Sequence, residues 1–187
     1  MKKIAFDTNI VLDAICNRND SEVARQLFME VAEERAVGVI TANAITDIYY
    51  IARKYIGSES ATEAIKNLMT LFDIAAVDGE ICGEAVYSMM DDFEDAVFAY
   101  ACKREDVDYI VTRDKGLLES MYNPVEACSP KEVLRLIKEM GYHACIKHVF
   151  WNYCSDVSRE WRKTQYAPYS RRILRGGSCG DTGWGGN

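Results

Sequence analysis

The sequence predicts an α/β protein with a parallel sheet, and three features of residues 1–141 support this class. Short apolar stretches of strand length alternate with longer stretches of helical periodicity. Capping and turn residues separate them, and no internal repeat interrupts the alternation. Since consecutive strands joined through helices make right-handed crossovers, the strands should form one parallel sheet that is covered on both faces.

The individual elements follow from apolar spacing and from end signals. Five strands are predicted at residues 3–6, 37–41, 74–78, 108–112 and 125–128. Apolar residues at intervals of three and four predict helices at 21–35, 42–55, 58–72, 80–90 and 92–105. A last helix follows the capping box Ser129-Pro130-Lys131-Glu132, with proline at the first helical position, and ends at Gly141.

Charge and composition divide the chain at residue 142. Residues 1–141 contain 15 basic and 26 acidic side chains, whereas residues 142–187 contain seven basic and three acidic ones. The second segment is rich in aromatic residues, arginine and glycine, and its elements are difficult to place. We therefore predict two parts, an acidic α/β domain at 1–141 and a separate, less ordered basic extension at 142–187.

The sequence also indicates a cytoplasmic protein. Seven cysteines without a CxxC pair are typical of reduced thiols and not of a disulfide framework or a zinc site. No uncharged apolar run approaches the roughly 18 residues of a membrane span, and the apolar stretch after Met1 is too short for a signal peptide.

Four aspartates fall where an open parallel sheet binds its ligands, beyond the carboxyl ends of the strands. Asp7 follows the first strand and Asp114 follows the fourth. Asp47 interrupts an apolar helix after the second strand, and Asp95 lies near the start of a helix. Taken singly, Asp7 and Asp114 could be turn or capping residues, and Asp95 could only oppose a helix dipole. The neighbouring acids Asp91, Asp92 and Glu94 are interpreted as solvated residues of that helix start.

Taken together, the four carboxylates predict a cation site. Two carboxylates 4 Å apart repel by about 4 kcal/mol at an effective dielectric of 20. No basic residue in these segments is obviously placed to neutralise them. Oxygen ligands favour hard divalent ions such as Mg²⁺ or Mn²⁺, and a bound ion would also let an acidic domain hold a phosphodiester.

The segments FDTNIVLDA, TANAITDIYYIARK, DFEDAVFAYA and DYIVTRD, in this order and spacing, resemble the PIN domain, the metal-dependent nuclease fold of VapC-type toxins. The resemblance covers about residues 1–141 and implies a three-layer α/β/α sandwich with strand order 3-2-1-4-5. It implies catalytic acids at Asp7, Asp47, Asp95 and Asp114, although the position of Asp47 is commonly glutamate in the family. It also implies metal ligation by Asp7, Asp95 and Asp114, with supporting polar side chains at Thr8, Asn9 and Thr112.

The expected function is therefore a Mg²⁺- or Mn²⁺-dependent endoribonuclease that hydrolyses RNA phosphodiester bonds with a metal-activated water. Both histidines, His143 and His148, lie in the extension, which argues against a mechanism with two imidazoles. The implied partners are an RNA substrate and an antitoxin protein, with no membrane. A homodimer is compatible with the sequence, which leaves the oligomeric state open.

Two other classes of protein are alternatives for the acidic domain. A catalytically inactive PIN-like module that binds RNA or acts as a scaffold would share the same sequence pattern. A haloacid-dehalogenase-type phosphatase would need a second carboxylate two residues after Asp7, where this chain has Asn9. The segments HVFWNYCSDVSREW and YSRRILRGGSCGD resemble scattered pieces of formylglycine-generating-enzyme-like domains, which predicts a remnant without catalysis; an unrelated basic segment is the other interpretation.

Overall fold

The computed structural model describes residues 1–18 and 21–140. Its strands are β1 (Lys2–Phe6), β2 (Ala36–Thr41), β3 (Asp73–Ala75), β4 (Tyr109–Val111) and β5 (Ala127–Cys128). The larger helices are α1 (Thr8–Cys16), α2 (Ser21–Ala32), α3 (Ala42–Ile56), α4 (Ser58–Leu71), α6 (Phe93–Arg104) and α8 (Pro130–Met140), and the shorter ones are α5 (Gly79–Val86) and α7 (Lys115–Glu119). The extension at 142–187 lies outside the described residues, so its predicted separation from the domain stays a prediction.

The five strands form one parallel sheet in the order β3-β2-β1-β4-β5, which confirms the predicted fold class and strand order. β1 is central, with β2 on one side and β4 on the other. Phe6 at the end of β1 is in register with Val111 at the end of β4. The residues after these two strands therefore emerge side by side at the carboxyl edge of the sheet.

The larger part of the core lies between the sheet and the helices α1, α2, α3, α4 and α8. Phe6, Phe28 and Phe72 meet edge to face there, with ring centroids 5.0 to 5.6 Å apart. Gly38 of β2 is required by this packing, because a Cβ at that position would lie 2.5 Å from the ring of Phe72. A second cluster around Ile110, Phe98 and Leu117 lies under α6 and α7.

Two helices were not predicted as separate elements. In α1 every residue from Ile10 to Ile15 is buried, so the sequence lacks the polar face by which an amphipathic helix is recognised. The five residues of α7 are too short to show a period. The predicted strands 74–78 and 125–128 were too long, since β3 and β5 contain three and two residues.

Within the described part of the chain, no helix is both long and apolar enough to cross a membrane.

Candidate active site

Asp7 lies at the junction between β1 and α1, where it caps the helix. Its Oδ1 accepts a hydrogen bond from the backbone N–H of Asn9 at 3.2 Å. Its Oδ2 accepts from the hydroxyl of Thr112 at 2.7 Å. Burial raises the pKa of the Asp7 carboxyl, and these hydrogen bonds oppose that rise, as does the charge of Arg113. Asp7 is thus a half-buried carboxylate whose orientation is set by the first turn of α1 and by the loop after β4.

The loop after β4 carries Thr112 and Asp114 to the same edge. The hydroxyl of Thr112 is buried, and it accepts from the backbone N–H of Asp114 at 2.9 Å while it donates to Asp7. Asp114 caps α7, because its Oδ1 accepts from the N–H groups of Gly116 at 2.6 Å and Leu117 at 3.3 Å. One threonine therefore connects the two aspartates that follow the neighbouring strands.

Asp95 lies in the first turn of α6, which Asp92 caps by accepting from the N–H groups of Glu94 and Asp95. Partial burial raises the pKa of Asp95 to about 6, and the negative charges of Asp114, Asp92, Asp7 and Glu94 add to this rise. No cation opposes it. The first turn of a helix favours anions, yet the pKa of Asp95 is raised, first by burial and then by the neighbouring negative charges.

Gly116 leaves open space between two of these carboxylates. A Cβ at this position would lie 2.9 Å from Oδ1 of Asp114 and 3.8 Å from Oδ2 of Asp95. The oxygens of Asp95 and Asp114 thus border one small volume that a side chain would fill. Glycine at 116 keeps that volume accessible to a ligand.

Asp47 is exposed and lies in the second turn of α3. Asp47 interacts electrostatically with Glu94. The pKa of Glu94 is raised by partial burial and by the charges of Asp47, Asp92 and Asp7. Glu94 therefore lies within electrostatic reach of both Asp47 and Asp7. Glu94 is exposed, as predicted for a solvated residue, and its charge also interacts with those of Asp47 and Asp7.

The two other predicted polar residues differ in what they contribute. Asn9 supplies its backbone N–H to Asp7, and its side chain is exposed. Thr8 is half-buried at the start of α1, and its hydroxyl makes no hydrogen bond to another described residue. Thr112 is the supporting side chain with the clearest structural role.

A second carboxylate of α1, Asp13, was not singled out from the sequence. It is fully buried and contacts the guanidinium of Arg113, the residue between Thr112 and Asp114. Arg18 approaches it as well, with Nε 3.9 Å from Oδ1. Asp13 thereby fixes the base of the loop that presents Asp114. The expectation that no basic residue in these segments is placed to neutralise the acids needs one correction, because the charge of Arg113 partly opposes the rise in the pKa of Asp7.

Among residues 1–18 and 21–140, no three ligating side chains stand in the arrangement of a ready-made metal site. The donor chemistry nevertheless fits a hard divalent ion, since the candidate ligands are carboxylate oxygens that repel one another. The open space at Gly116 also lies between Asp95 and Asp114. A cation there would offset the negative charges that, together with burial, raise the pKa of Asp95.

Comparisons with known proteins agree with this fold. The five-stranded parallel sheet with carboxylates at its carboxyl edge defines the class of the domain as α/β. The PIN domain family matches residues 3–116, more than half of the chain, and the chain belongs to this family. No curated protein sequence matches the chain significantly.

Solved structures extend the likeness in fold at low sequence identity. VapBC2 from Rickettsia felis, bound to a DNA fragment from their promoter, is 14% identical, with 68% of this chain and 98% of that chain covered and a TM-score of 0.53. PAE2754 from Pyrobaculum aerophilum is 17% identical, with coverages of 74% and 96% and a TM-score of 0.52. VapC20 from Mycobacterium tuberculosis, a Sarcin-Ricin loop cleaving toxin, is 14% identical, with coverages of 57% and 86%; its TM-score of 0.48 is too low to support a conclusion.

Proposed function

We propose that the protein is a metal-dependent endoribonuclease that hydrolyses phosphodiester bonds in RNA. The observation that carries this proposal is the convergence of acids at one sheet edge: Thr112 joins Asp7 to the loop of Asp114, and the oxygens of Asp114 and Asp95 border one open space. The raised pKa of Asp95 accompanies this geometry. Strongly perturbed carboxylates that share one edge are typical of catalytic sites. Membership of the PIN domain family supports the nuclease reaction.

Asp7, Asp95 and Asp114 would hold a divalent cation, Mg²⁺ or Mn²⁺. When bound, such an ion neutralises phosphate charge and makes water a better nucleophile at neutral pH. This proposal does not depend on a fully formed ligand set, because the carboxylates of Asp95 and Asp114 already border an open space at Gly116. Folding thus provides the oxygen ligands, and the bound ion would neutralise their negative charge.

The chain's own residues orient these donors. Thr112 holds Asp7 by a 2.7 Å hydrogen bond and ties the backbone of Asp114 at 2.9 Å, so both carboxylates keep fixed directions. Asp47 is exposed and therefore suited to ligate the ion or to orient the attacking water. Glu94 interacts electrostatically with Asp47 and Asp7, and it would likewise ligate the ion or orient the water.

A toxin role with an antitoxin partner is the biological setting we propose. It rests on the likeness to VapC-type PIN domains and on the similarity in fold to VapBC2. Three properties stay predictions from the sequence: a separate basic extension at 142–187, a homodimer and a cytoplasmic location. The second candidate is a catalytically inactive protein that binds RNA, and an RNA cleavage assay separates the two.

The test is cleavage of a defined RNA by the full chain with Mg²⁺ or Mn²⁺ and again with EDTA. We expect cleavage that EDTA stops, with 5′-phosphate and 3′-hydroxyl ends, because water attacks phosphorus and the 2′-hydroxyl takes no part. Asp73→Ala is the matched control, since Asp73 is an exposed aspartate of β3 away from the acidic centre. A 2′,3′-cyclic phosphate would refute the hydrolytic mechanism, and intact RNA that is still bound would favour the inactive module.

A further inference from the structure

A cleft of about 510 Å³ opens beside the candidate acids, and most of its wall has no role in the proposed hydrolysis. Asp95, Asp114 and Gly116 border it on the side of the acidic centre. The remaining wall comes from residues before α6, from α7 and from the loop after α7. A group carried by the strand whose phosphodiester lies at the acids could therefore enter this cleft.

The outer wall of the cleft contains large side chains that face water. Met89, Met121 and Tyr122 are 67%, 87% and 49% exposed, respectively. Exposed apolar side chains grouped beside a functional cleft indicate a surface that a ligand covers. A tyrosine ring in such a position can stack on a nucleobase, whichever base it is.

The loop that presents Tyr122 is held in place by its own polar side chains. The hydroxyl of Ser120 accepts from the N–H of Tyr122 at 3.3 Å. The side-chain amide of Asn123 donates to the carbonyl of the buried Leu117 at 3.4 Å, and its oxygen accepts from the N–H of Val125 at 3.2 Å. Because the loop is fixed to the core through Leu117, less ordering is required when a ligand binds.

The charges of the cleft select the kind of group that can enter. Glu119 and Lys115 of α7 lie four residues apart and both line the cleft, so they share one face of the helix. Neither makes a hydrogen bond or an ion pair with another described residue. Asp91, Asp92 and Glu119 disfavour a phosphate here, whereas an uncharged base with hydrogen-bond donors is compatible with them.

Among the four bases, guanine fits a carboxylate best. Its Watson–Crick edge carries two adjacent donors, N1–H and the N2 amino group, which match the two oxygens of one carboxylate. Adenine and cytosine present an amino donor beside an acceptor, and uracil has a single imino donor between two carbonyls. Unpaired bases in RNA are commonly read on this edge while they stack on an aromatic ring.

We propose that the cleft binds an unpaired guanine next to the scissile phosphate, stacked on Tyr122 and donating N1–H and N2–H to Glu119. Lys115 is then placed to donate to the guanine O6. The inference rests on the proposed nuclease function, because a nucleic acid held at the acids is what brings a base to the cleft. It adds a sequence preference that the acidic centre alone does not provide.

Binding of labelled single-stranded RNA tests this directly. Fluorescence anisotropy compares UUGUU with the same strand containing inosine, adenine or cytosine, in an Asp7→Asn background that prevents cleavage on the proposed mechanism. Inosine lacks only the N2 amino group, and loss of its hydrogen bond to a carboxylate should weaken binding about tenfold. Glu119→Gln should reduce the preference for guanine over inosine, and Tyr122→Ala should weaken binding of every strand about tenfold.

Two matched controls lie outside the cleft. Glu84→Gln and Tyr87→Ala alter exposed residues of the same types and should leave both binding and preference unchanged. Equal binding of guanine and inosine strands, or a full preference in Glu119→Gln, would overturn the guanine site. If wild type binds with guanine preference but never cleaves, the nuclease proposal fails and the base site stands. If the protein cleaves RNA without any guanine preference near the cut, the base site fails and the nuclease proposal stands.

Discussion

Asp13 and Asp95 are both carboxylates that folding withdraws from water, but the chain surrounds them in opposite ways. Asp13 is fully buried and contacts Arg113, with Arg18 nearby. Asp95 is half-buried, and the charges that act on it are all negative. A buried carboxylate with a cation contributes to the native arrangement, and removing its partner is costly. A carboxylate among like charges is a cost to stability that is typical of a functional site.

The largest expected effect is on catalysis by the acids that lie among like charges. Asp95→Asn or Asp7→Asn should lower kcat/KM for RNA cleavage about 1,000-fold, because a preorganised electrostatic contact at a reaction centre contributes about 3–4 kcal/mol. Urea unfolding should show no loss of stability in Asp95→Asn. Cleavage within tenfold of wild type in both variants would remove them from the site.

The next largest effect is on the free energy of unfolding, through the buried pair of Asp13 and Arg113. Asp13→Asn should lower the free energy of unfolding by about 3 kcal/mol, because Arg113 loses its buried partner. Asp108→Asn is the control, since Asp108 pairs with Lys2 near the surface and should cost about 1 kcal/mol or less. In the double variant Asp13→Asn/Arg113→Met the loss should be smaller than the sum of the single losses. Equal losses at Asp13 and Asp108 would contradict the structural role of the buried pair.

Metal addition should act on the acidic centre alone. Mg²⁺ or Mn²⁺ at 100 times its Kd should stabilise the native state by about 2.7 kcal/mol, because it binds that state preferentially. Calorimetry should show a higher Tm in wild type and in Asp73→Ala. Asp7→Asn should lose this response, and an unchanged response there would show that the ion binds elsewhere.

A smaller effect concerns pH without metal. The unfolded chain releases the Asp95 proton near its ordinary pKa of 3.8, whereas the native protein keeps it until pH about 6. Stability in EDTA should therefore fall as pH rises from 4 to 6 and change little from this group above that range. After solvent screening, the difference should be about 1 kcal/mol. Urea unfolding of wild type and Asp95→Asn checks it; parallel pH profiles would contradict the shift.

The smallest effect is expected from truncation after Gly141. Both carboxylate groups and all five strands precede this residue, so the shortened chain should unfold cooperatively and still cleave RNA. Circular dichroism and the cleavage assay measure the two properties. Loss of folding would place the domain boundary, and part of the core, beyond residue 141.

Much of the molecule was predictable from local sequence. Short apolar stretches and helical periods predicted the parallel sheet, and strand ends predicted Asp7 and Asp114 at one edge, because parallel strands end on the same side. The capping box at Ser129 is present as expected, with Glu132 Oε2 2.9 Å from the N–H of Ser129. These features depend on a few neighbouring residues, so the sequence carries them directly.

Other features depended on the tertiary structure. Asp13 carried a usable signal, a lone acid in the apolar run IVLDAI, the same signal that marked Asp47. Its partner Arg113 lies 100 positions away, however, and Glu94 comes within electrostatic reach of Asp47 only through folding. Local patterns determined which carboxylates the chain places at the ends of its strands and helices. Packing decided which of them receive a cation and which face one another, because charges interact through space and not along the sequence.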